Sequence, residues 1–279
     1  MNRILLVFCL VLGLSSCTSK FQKILKNKDT DYKVKMAESY FLQKKYSNAQ
    51  QLFESVMPFV KGTPRYEELY LKFANSYYFD KDYENAENLF KTFVEYFPNS
   101  PKTEEVDYLR AYTYFKRSPK AELDQTTTNK TIQLMQQFID GHPTSPRVKD
   151  ATEVIDASRA KLELKDYKTA TLYSDLALYR AAAISYGLLS DGYPDSKNAD
   201  KYKLLTLKAY YQFALNSFVD KQKERFEKVV VEYNDFVDRY SDSPLLPEAK
   251  KIKKPLKKKR SLKKLESLEG QYDAEFKVH

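Results

Sequence analysis

Few side chains in this sequence could carry chemistry of their own. Histidine occurs only at His142, beside a proline, and at His279, so neither can be paired with a nucleophile or matched to a second histidine at metal-ligand spacing. Cysteine occurs at Cys9, inside an apolar run, and at Cys17, just after it. There is no Gly-rich phosphate loop and no serine in a nucleophile elbow. The carboxylate pairs Glu67-Glu68 and Glu104-Glu105 fall at expected helix starts, where acids complement the helix dipole and need no catalytic role. The reading is therefore not an enzyme, with no catalytic residue and no metal site. What remains is one cysteine placed for modification and a set of aromatic residues placed to build a surface.

Cys17 closes a targeting segment. Arg3 supplies a positive start, and Ile4 to Leu14 is an apolar run shorter than the roughly 20 residues a spanning helix needs. The run ends in Leu14-Ser15-Ser16-Cys17, which resembles a bacterial lipobox, where small residues precede a cysteine that is lipidated after cleavage. Residues 1–16 then read as a lipoprotein signal peptide, and Cys17 as carrying a covalent diacylglycerol and an N-acyl lipid, with no other cofactor. With Cys9 removed, one thiol is left, so neither a disulfide nor a Cys-based metal site can form. Several acyl chains anchor a chain stably without a spanning helix. Thr18 is not the aspartate that holds enterobacterial lipoproteins at the inner membrane, and Ser19 to Lys23 has no acidic run. The expected location is the outer membrane, lipid-anchored, facing the periplasm. Residues 17–31 read as a lipidated, polar and basic tether, with Asp29 or Asp31 able to cap the helix that follows.

The elements that must position the aromatic residues are helical. From Tyr70 to Pro101 the chain reads as a helix, a turn at Asp80-Lys81-Asp82, a second helix and a stop at Phe97-Pro98. Tyr70, Phe73, Ala74 and Tyr77 form one apolar face, and Ala86, Phe90 and Phe93 the next, with Ala74 and Ala86 where the helices must pass closely. This is the tetratricopeptide (TPR) pattern, with Tyr70 and Ala74 in place of the usual Trp and Gly. It repeats. Tyr46, Ala49 and Phe53 precede Tyr83, Ala86 and Phe90 by 37 residues, as Met36, Ala37 and Tyr40 precede Phe73, Ala74 and Tyr77. The stop recurs at His142-Pro143-Thr144-Ser145-Pro146, Tyr193-Pro194-Asp195-Ser196 and Tyr240-Ser241-Asp242-Ser243-Pro244. A third unit carries Tyr108, Ala111 and Tyr114, then an interruption before Ile132, Leu134, Met135 and Phe138. A fourth begins with one long helix from Val148 to about Leu178 and resumes at Tyr179, Ala182, Tyr186 and Leu189, and a fifth spans Leu204–Ala214 and Phe226–Phe236. The fold class is all-α, a TPR solenoid of about five helix-turn-helix repeats, since single pairs cannot bury their own apolar faces. Residues 32–146 hold repeats 1–3 and residues 147–247 repeats 4–5.

In such a stack the first helices line an inner groove. Positions one residue past the packing ones are Phe41, Leu71, Asn75, Tyr78, Tyr108, Tyr112 and Phe115. Several could instead pack within the chain; as a groove they suit an extended apolar or aromatic peptide more than a carboxylate. The formal charge of +9 is local: Lys250 to Lys264 holds ten Lys or Arg and no acid, and without these and Arg3 the balance is −2. This extension, residues 248–279, either meets anionic lipid or an acidic partner or is a solvated terminal helix. An exported address leaves no nucleic acid to bind.

The lipobox, five TPR-like units, the aromatic-Pro-x-Ser stops and the Asp124-Gln125-Thr126 run together resemble the BamD family of outer-membrane assembly lipoproteins. The resemblance implies a component of the machine that inserts β-barrel proteins into the outer membrane. Its N-terminal repeats would receive the C-terminal strand signal of unfolded outer-membrane barrels. Its C-terminal repeats would dock on the periplasmic region of BamA beside other assembly-complex subunits, and the Lys-rich extension has no counterpart in that pattern. The alternative is a periplasmic TPR scaffold lipoprotein that coordinates peptidoglycan and outer-membrane complexes. A glycan-binding lipoprotein of the SusD kind fits less well, because the chain is short and has no Trp.

Overall fold

The computed structural model describes residues 20–253, and these contain helices and no strand. Helical residues 20–25 (α1) precede ten helices: α2 (Thr30–Leu42), α3 (Tyr46–Val60), α4 (Tyr66–Phe79), α5 (Tyr83–Tyr96), α6 (Thr103–Arg117), α7 (Thr126–Gly141), α8 (Val148–Asp175), α9 (Tyr179–Gly192), α10 (Ala199–Leu215) and α11 (Val219–Arg239). Helical residues 246–253 (α12) follow. From α2 to α11 they form five helical hairpins. Up to α7, and again from α9 to α11, each helix packs on the next, and α2 also touches α4, the first helix of the next hairpin. The fold is the TPR-type helical repeat expected from the periodicity.

Alanine sets the helix spacing. Ala37, Ala49, Ala74, Ala86, Ala170 and Ala182 have no exposed surface, and a larger residue at these crossings would push the helices apart. Between them sit the fully buried rings of Phe53, Phe90, Phe93, Phe138 and Phe236. Truncating such a ring to Ala costs about 3–5 kcal/mol.

Three of the hairpin turns share one backbone device. Lys44, Lys81 and Ala177 adopt left-handed φ values of 57°, 66° and 57°. The next amide donates five residues back in each case, Lys45 to Tyr40, Asp82 to Tyr77 and Leu178 to Tyr173. This is a Schellman closure that satisfies the last carbonyls of the first helix, made without the glycine that normally fills the left-handed position.

The four stops are built alike. In each, the serine amide donates to the carbonyl of the aromatic residue or His142 three places earlier, and its hydroxyl accepts from the amide two places later. The hydroxyl then donates to an acid near the start of the same repeat: Ser100 to Glu67, Ser145 to Glu104, Ser196 to Glu163 at 2.6 Å and Ser243 to Asp200 at 2.6 Å. The stop thus ties the end of a hairpin back to its beginning.

Two expectations change. Residues 20–25 of the expected tether are helical, and Ile24 is buried with Val34 and Ala37 while the Phe21 ring meets Tyr40 edge-on at 5.7 Å. Two apolar residues three apart in a basic stretch are enough to dock one helical turn on α2. The long helix is also not simply the first helix of repeat 4. The chain forms two compact units, one up to Arg159 and one from Ala160, so the division falls inside α8 rather than at 146/147. Ala151, Val154 and Ile155 belong to a core with Tyr108, Met135 and Phe138, whereas Ala170 belongs to a core with Ala182, Tyr186 and Tyr202. Glu163, which receives the stop serine, marks where the fourth repeat begins, and the residues before it close the first unit.

Candidate functional site

Within the first unit, one cavity of about 510 Å³ gathers side chains from three elements. Tyr78 comes from the end of α4, and Tyr108, Leu109, Tyr112 and Phe115 come from α6. Arg147 comes from the stop before α8, and Asp150, Glu153 and Val154 come from its first turns. Tyr108, Tyr112 and Phe115 stand at i, i+4 and i+7, so one helical face presents all three rings. Tyr108 and Tyr112 stack with centroids 5.7 Å apart and planes at 16°, and Phe115 lies 5.5 Å from Tyr112. Tyr78 is wedged against Tyr83 at 5.7 Å and Phe90 at 6.0 Å, which fixes its ring.

Arg147 forms the charged wall. Its Nε and Nη2 donate to the two oxygens of Glu105 at 2.8 and 2.6 Å, its Nη1 donates to Asp150 at 2.8 Å, and its guanidinium lies 4.9 Å from the centre of the Tyr108 ring. Hydrogen bonds to Glu105 and then to Asp150 raise the guanidinium further above its ordinary value. Burial, aided by Tyr112, pushes the Tyr78 phenol up to about 12, and burial aided by Asp150 does the same for Tyr108. Both phenols are neutral at any physiological pH, so they offer polar hydrogen-bonding edges and apolar faces rather than a base or nucleophile.

Of the groove residues expected from sequence, Tyr78, Tyr108, Tyr112 and Phe115 come together in this cavity. Phe41, Leu71 and Asn75 do not line it. Phe41 packs on Tyr46, Phe53 and Phe79 at 5.7, 6.5 and 6.1 Å, and Leu71 is partly buried on the core around Tyr70 and Phe90. Asn75 is half-buried on α4. Tyr108 serves two roles, since it is also a core residue set edge-on to Phe138 at 5.6 Å. Cys17 and the Lys-rich extension from residue 254 lie outside the described residues. Periodicity missed Arg147, Asp150 and Glu153, because they follow a stop rather than sit in the repeated helix face. Their signal was a cation directly after Ser145-Pro146, with an acid pair at Glu104-Glu105 one hairpin earlier. Among the described residues no three His, Cys, Asp or Glu side chains are placed to hold a metal ion, and His142 sits 5.1 Å from Phe138 and 3.8 Å from Asp107.

The model of one protein family, YfiO, described as outer membrane lipoprotein, matches residues 27–226. The chain belongs to that family. This YfiO-family chain has no helix, among its described residues, that is long and apolar enough to cross a membrane. No curated protein matches it. Two solved structures are similar over 76% of the chain: a Podosopora anserina protein described as a kinesin light chain with nearly identical TPR-like repeats, and MamA. The first is 12% identical, covered over 95% of its length, with a TM-score of 0.31. The second is 15% identical, covered over 92%, with a TM-score of 0.30.

Proposed function

We propose that this YfiO-family lipoprotein is the BamD-type subunit of the β-barrel assembly complex. In this reading acyl chains on Cys17 hold it on the periplasmic face of the outer membrane. It performs no catalysis: it receives the C-terminal strand of unfolded outer-membrane barrels and docks on BamA for their insertion. The observation that carries the reading is the cavity, where four aromatic residues from two successive first helices converge on a space able to seat side chains of an extended peptide. Such a strand alternates apolar residues and often ends in an aromatic one. Binding spread over a few rings is weak to moderate, which suits a subunit that hands its client on. Tyr78→Ala with Tyr112→Ala should weaken binding of a fluorescent strand-signal peptide roughly tenfold, about 1.4 kcal/mol, with helical circular dichroism unchanged. Unaltered affinity in the folded double variant would mean that the signal is read elsewhere or not by this chain.

Docking on BamA is assigned to residues 148–247. The support is an apolar edge: at the turns of repeats 4 and 5, Leu176, Leu178, Phe218 and Val219 are exposed, with Phe218 at 84%. The equivalent turns of repeats 1 and 2 expose one apolar residue each, Leu42 and Phe79, beside Lys44-Lys45 and Asp80-Lys81-Asp82. Aromatic and aliphatic anchors of this kind are what an interface centre uses. Leu178→Asp with Phe218→Asp in the full-length protein should abolish co-purification with a tagged BamA periplasmic region. Wild-type yield would place the docking surface outside these turns.

A further inference from the structure

Resting on the reading of Cys17 as the lipid anchor, we propose that the turn edge of the first two hairpins is a membrane-contact surface: it lies on the anionic phospholipid face that the acyl chains enter, and it fixes how the first unit stands on the bilayer. The path of α1 carries the argument. Phe21, at its start, meets Tyr40 near the end of α2, and Ile24, one turn later, is buried with Val34 and Ala37 further back along that helix. Residues 26–29 join the other end of α1 to the start of α2. α1 therefore runs antiparallel to α2, and its first residue, Lys20, lies at the end where α2 turns into α3. Cys17 is three residues before Lys20, so the chain can carry it no more than about 11 Å away. The 14-residue helices of the second hairpin separate its turn from its stop by about 21 Å. The anchor is thus held at the turn end of the hairpins.

The side chains at that end suit an anionic bilayer. Leu42 is 80% exposed, and Phe79, at the equivalent place in the next hairpin, is 49% exposed. The two turns adjoin, because Phe79 packs on Phe41 and Tyr46. Lys44 and Lys45 follow Leu42, and Lys81 follows Phe79. Lys45 lies 5.8 Å from the centre of the same Tyr40 ring that receives Phe21, which brings it to the start of α1. With Lys20, the two turns and the start of α1 hold four lysines against two aspartates. Both aspartates are engaged within the protein, Asp80 by Gln50 and Asp82 as the cap of α5. Exposed apolar side chains can enter below the headgroups while the ammonium groups beside them meet lipid phosphates. The acyl chains already supply stable anchoring, so what this edge adds is orientation. Tyr78, which lines the cavity, lies 5.6 Å from the Phe79 ring, so an edge seated on the bilayer keeps the cavity beside it.

The test uses the mature acylated protein in vesicles of phosphatidylethanolamine and phosphatidylglycerol, doped with a lipid that carries a fluorescence quencher on its headgroup. Residues 18–279 hold no cysteine, so Ser47→Cys at the turn edge and Asn99→Cys in the stop of the second hairpin, both exposed, each give one labelling site. A dye at position 47 should be quenched several-fold more than one at position 99. Replacing phosphatidylglycerol with phosphatidylcholine, or raising the salt, should shrink that contrast by about half, as should Lys44→Glu with Lys45→Glu. Leu42→Asp should shrink it too, with helical circular dichroism unchanged. Equal quenching at the two positions, or a contrast that survives both the loss of phosphatidylglycerol and the charge reversal, would overturn the contact surface while leaving the anchor intact. Mass spectrometry of the same preparation reads the anchor separately: protein with no acyl mass on Cys17 would overturn the lipidation, and the contact surface with it.

Discussion

In the unit that ends at Arg159, Tyr78, Tyr108 and Tyr112 line a cavity. In the unit that begins at Ala160, tyrosines at other repeat positions are tied down by their hydroxyls: Tyr186 donates to Thr171, Tyr193 to Asp166 at 3.0 Å and Tyr202 to Glu163 at 2.6 Å. Burial first, then Asp166 for Tyr193 and Glu163 for Tyr202, raises both phenols well above the ordinary tyrosine value, so they remain donors. The matching places in the first unit hold Phe90, Phe97 and Val106, which have no hydroxyl to donate. Glu67 and Glu104 each receive a stop serine, whereas Glu163 receives both Ser196 and Tyr202, and Asp166 lies one turn further on. One repeat architecture thus yields a cavity in one unit and a cross-linked core in the other, depending on whether phenols or apolar side chains stand at these positions.

One buried and one solvated ion-pair cluster give the largest expected effect. Lys203 is 8% exposed and pairs with Glu232 at 2.7 Å and with Asp235, while Glu232 also takes Lys228 at 2.7 Å. Lys72 bridges Glu38 and Glu68 in the first unit with its side chain 30% exposed. Lys203→Ala leaves the buried Glu232 with Lys228 as its one remaining paired cation and should cost more than about 1 kcal/mol. Lys72→Ala breaks a solvated pair and should cost less than about 1 kcal/mol. Equal losses in denaturant titrations would erase this contrast. The pH dependence has a definite sign. Burial alone would raise Glu232, but hydrogen bonds from Lys203 and Lys228 hold its carboxyl below 4.5. Its contribution is therefore present above that value and lost as pH falls through the lower, folded-state one. For Lys203, burial would lower the ammonium, yet Asp235 and Glu232 raise it above 10.5, so its contribution is full below that value and lost at still higher pH. Glu232→Gln should flatten the acid limb of the stability profile.

The stop serines come next. Ser100→Ala and Ser196→Ala each remove a hydroxyl bonded to a carboxylate, a loss of about 1.5–3 kcal/mol. Thr63 occupies the matching place after the first repeat, but it donates to the neutral Val60 carbonyl at 2.6 Å. Thr63→Ala should cost only about 0.5–1.5 kcal/mol. Thermal or denaturant midpoints that rank Thr63→Ala at or above the serine variants would show that the carboxylate adds nothing to the turn.

Much of this was legible in the residues themselves. The 37-residue offset gave the hairpins, the Pro-containing stops gave their ends, and Tyr78, Tyr108, Tyr112 and Phe115 were singled out by phase alone. Periodicity could not separate ring positions that face a cavity from those, such as Phe41, that meet another ring across a turn, because both have the same phase. The division within α8 was hidden because no Gly or Pro interrupts residues 148–175. A spacing nonetheless betrays it: Glu163 precedes Asp200 by 37 residues, as Glu67 precedes Glu104, which starts the fourth repeat midway along the helix. Arg147 was missed because its role depends on Glu105, 42 residues away, and no local pattern encodes that pairing.

The smallest expected effect tests whether the two units close their hairpins under the same strain. Ala177 in the second and Lys81 in the first hold left-handed φ values of 57° and 66°. That conformation costs a residue with a Cβ roughly 1–2 kcal/mol. Glycine removes the clash but gives the unfolded chain more freedom, which takes back about 0.5–1 kcal/mol. Ala177→Gly should therefore stabilise by about 0.5 kcal/mol, since the methyl is all that changes. Lys81→Gly should show the same gain if its side chain only points into water. A gain for Ala177→Gly with a loss for Lys81→Gly, read from denaturant midpoints at a fixed slope, would mean that Lys81 holds its turn through contacts of its own and that the first unit's charged turns are more than solvated caps. Losses at both positions would show that the Schellman hydrogen bonds already absorb the left-handed cost, and that the scarcity of glycine in this chain carries no penalty at its turns.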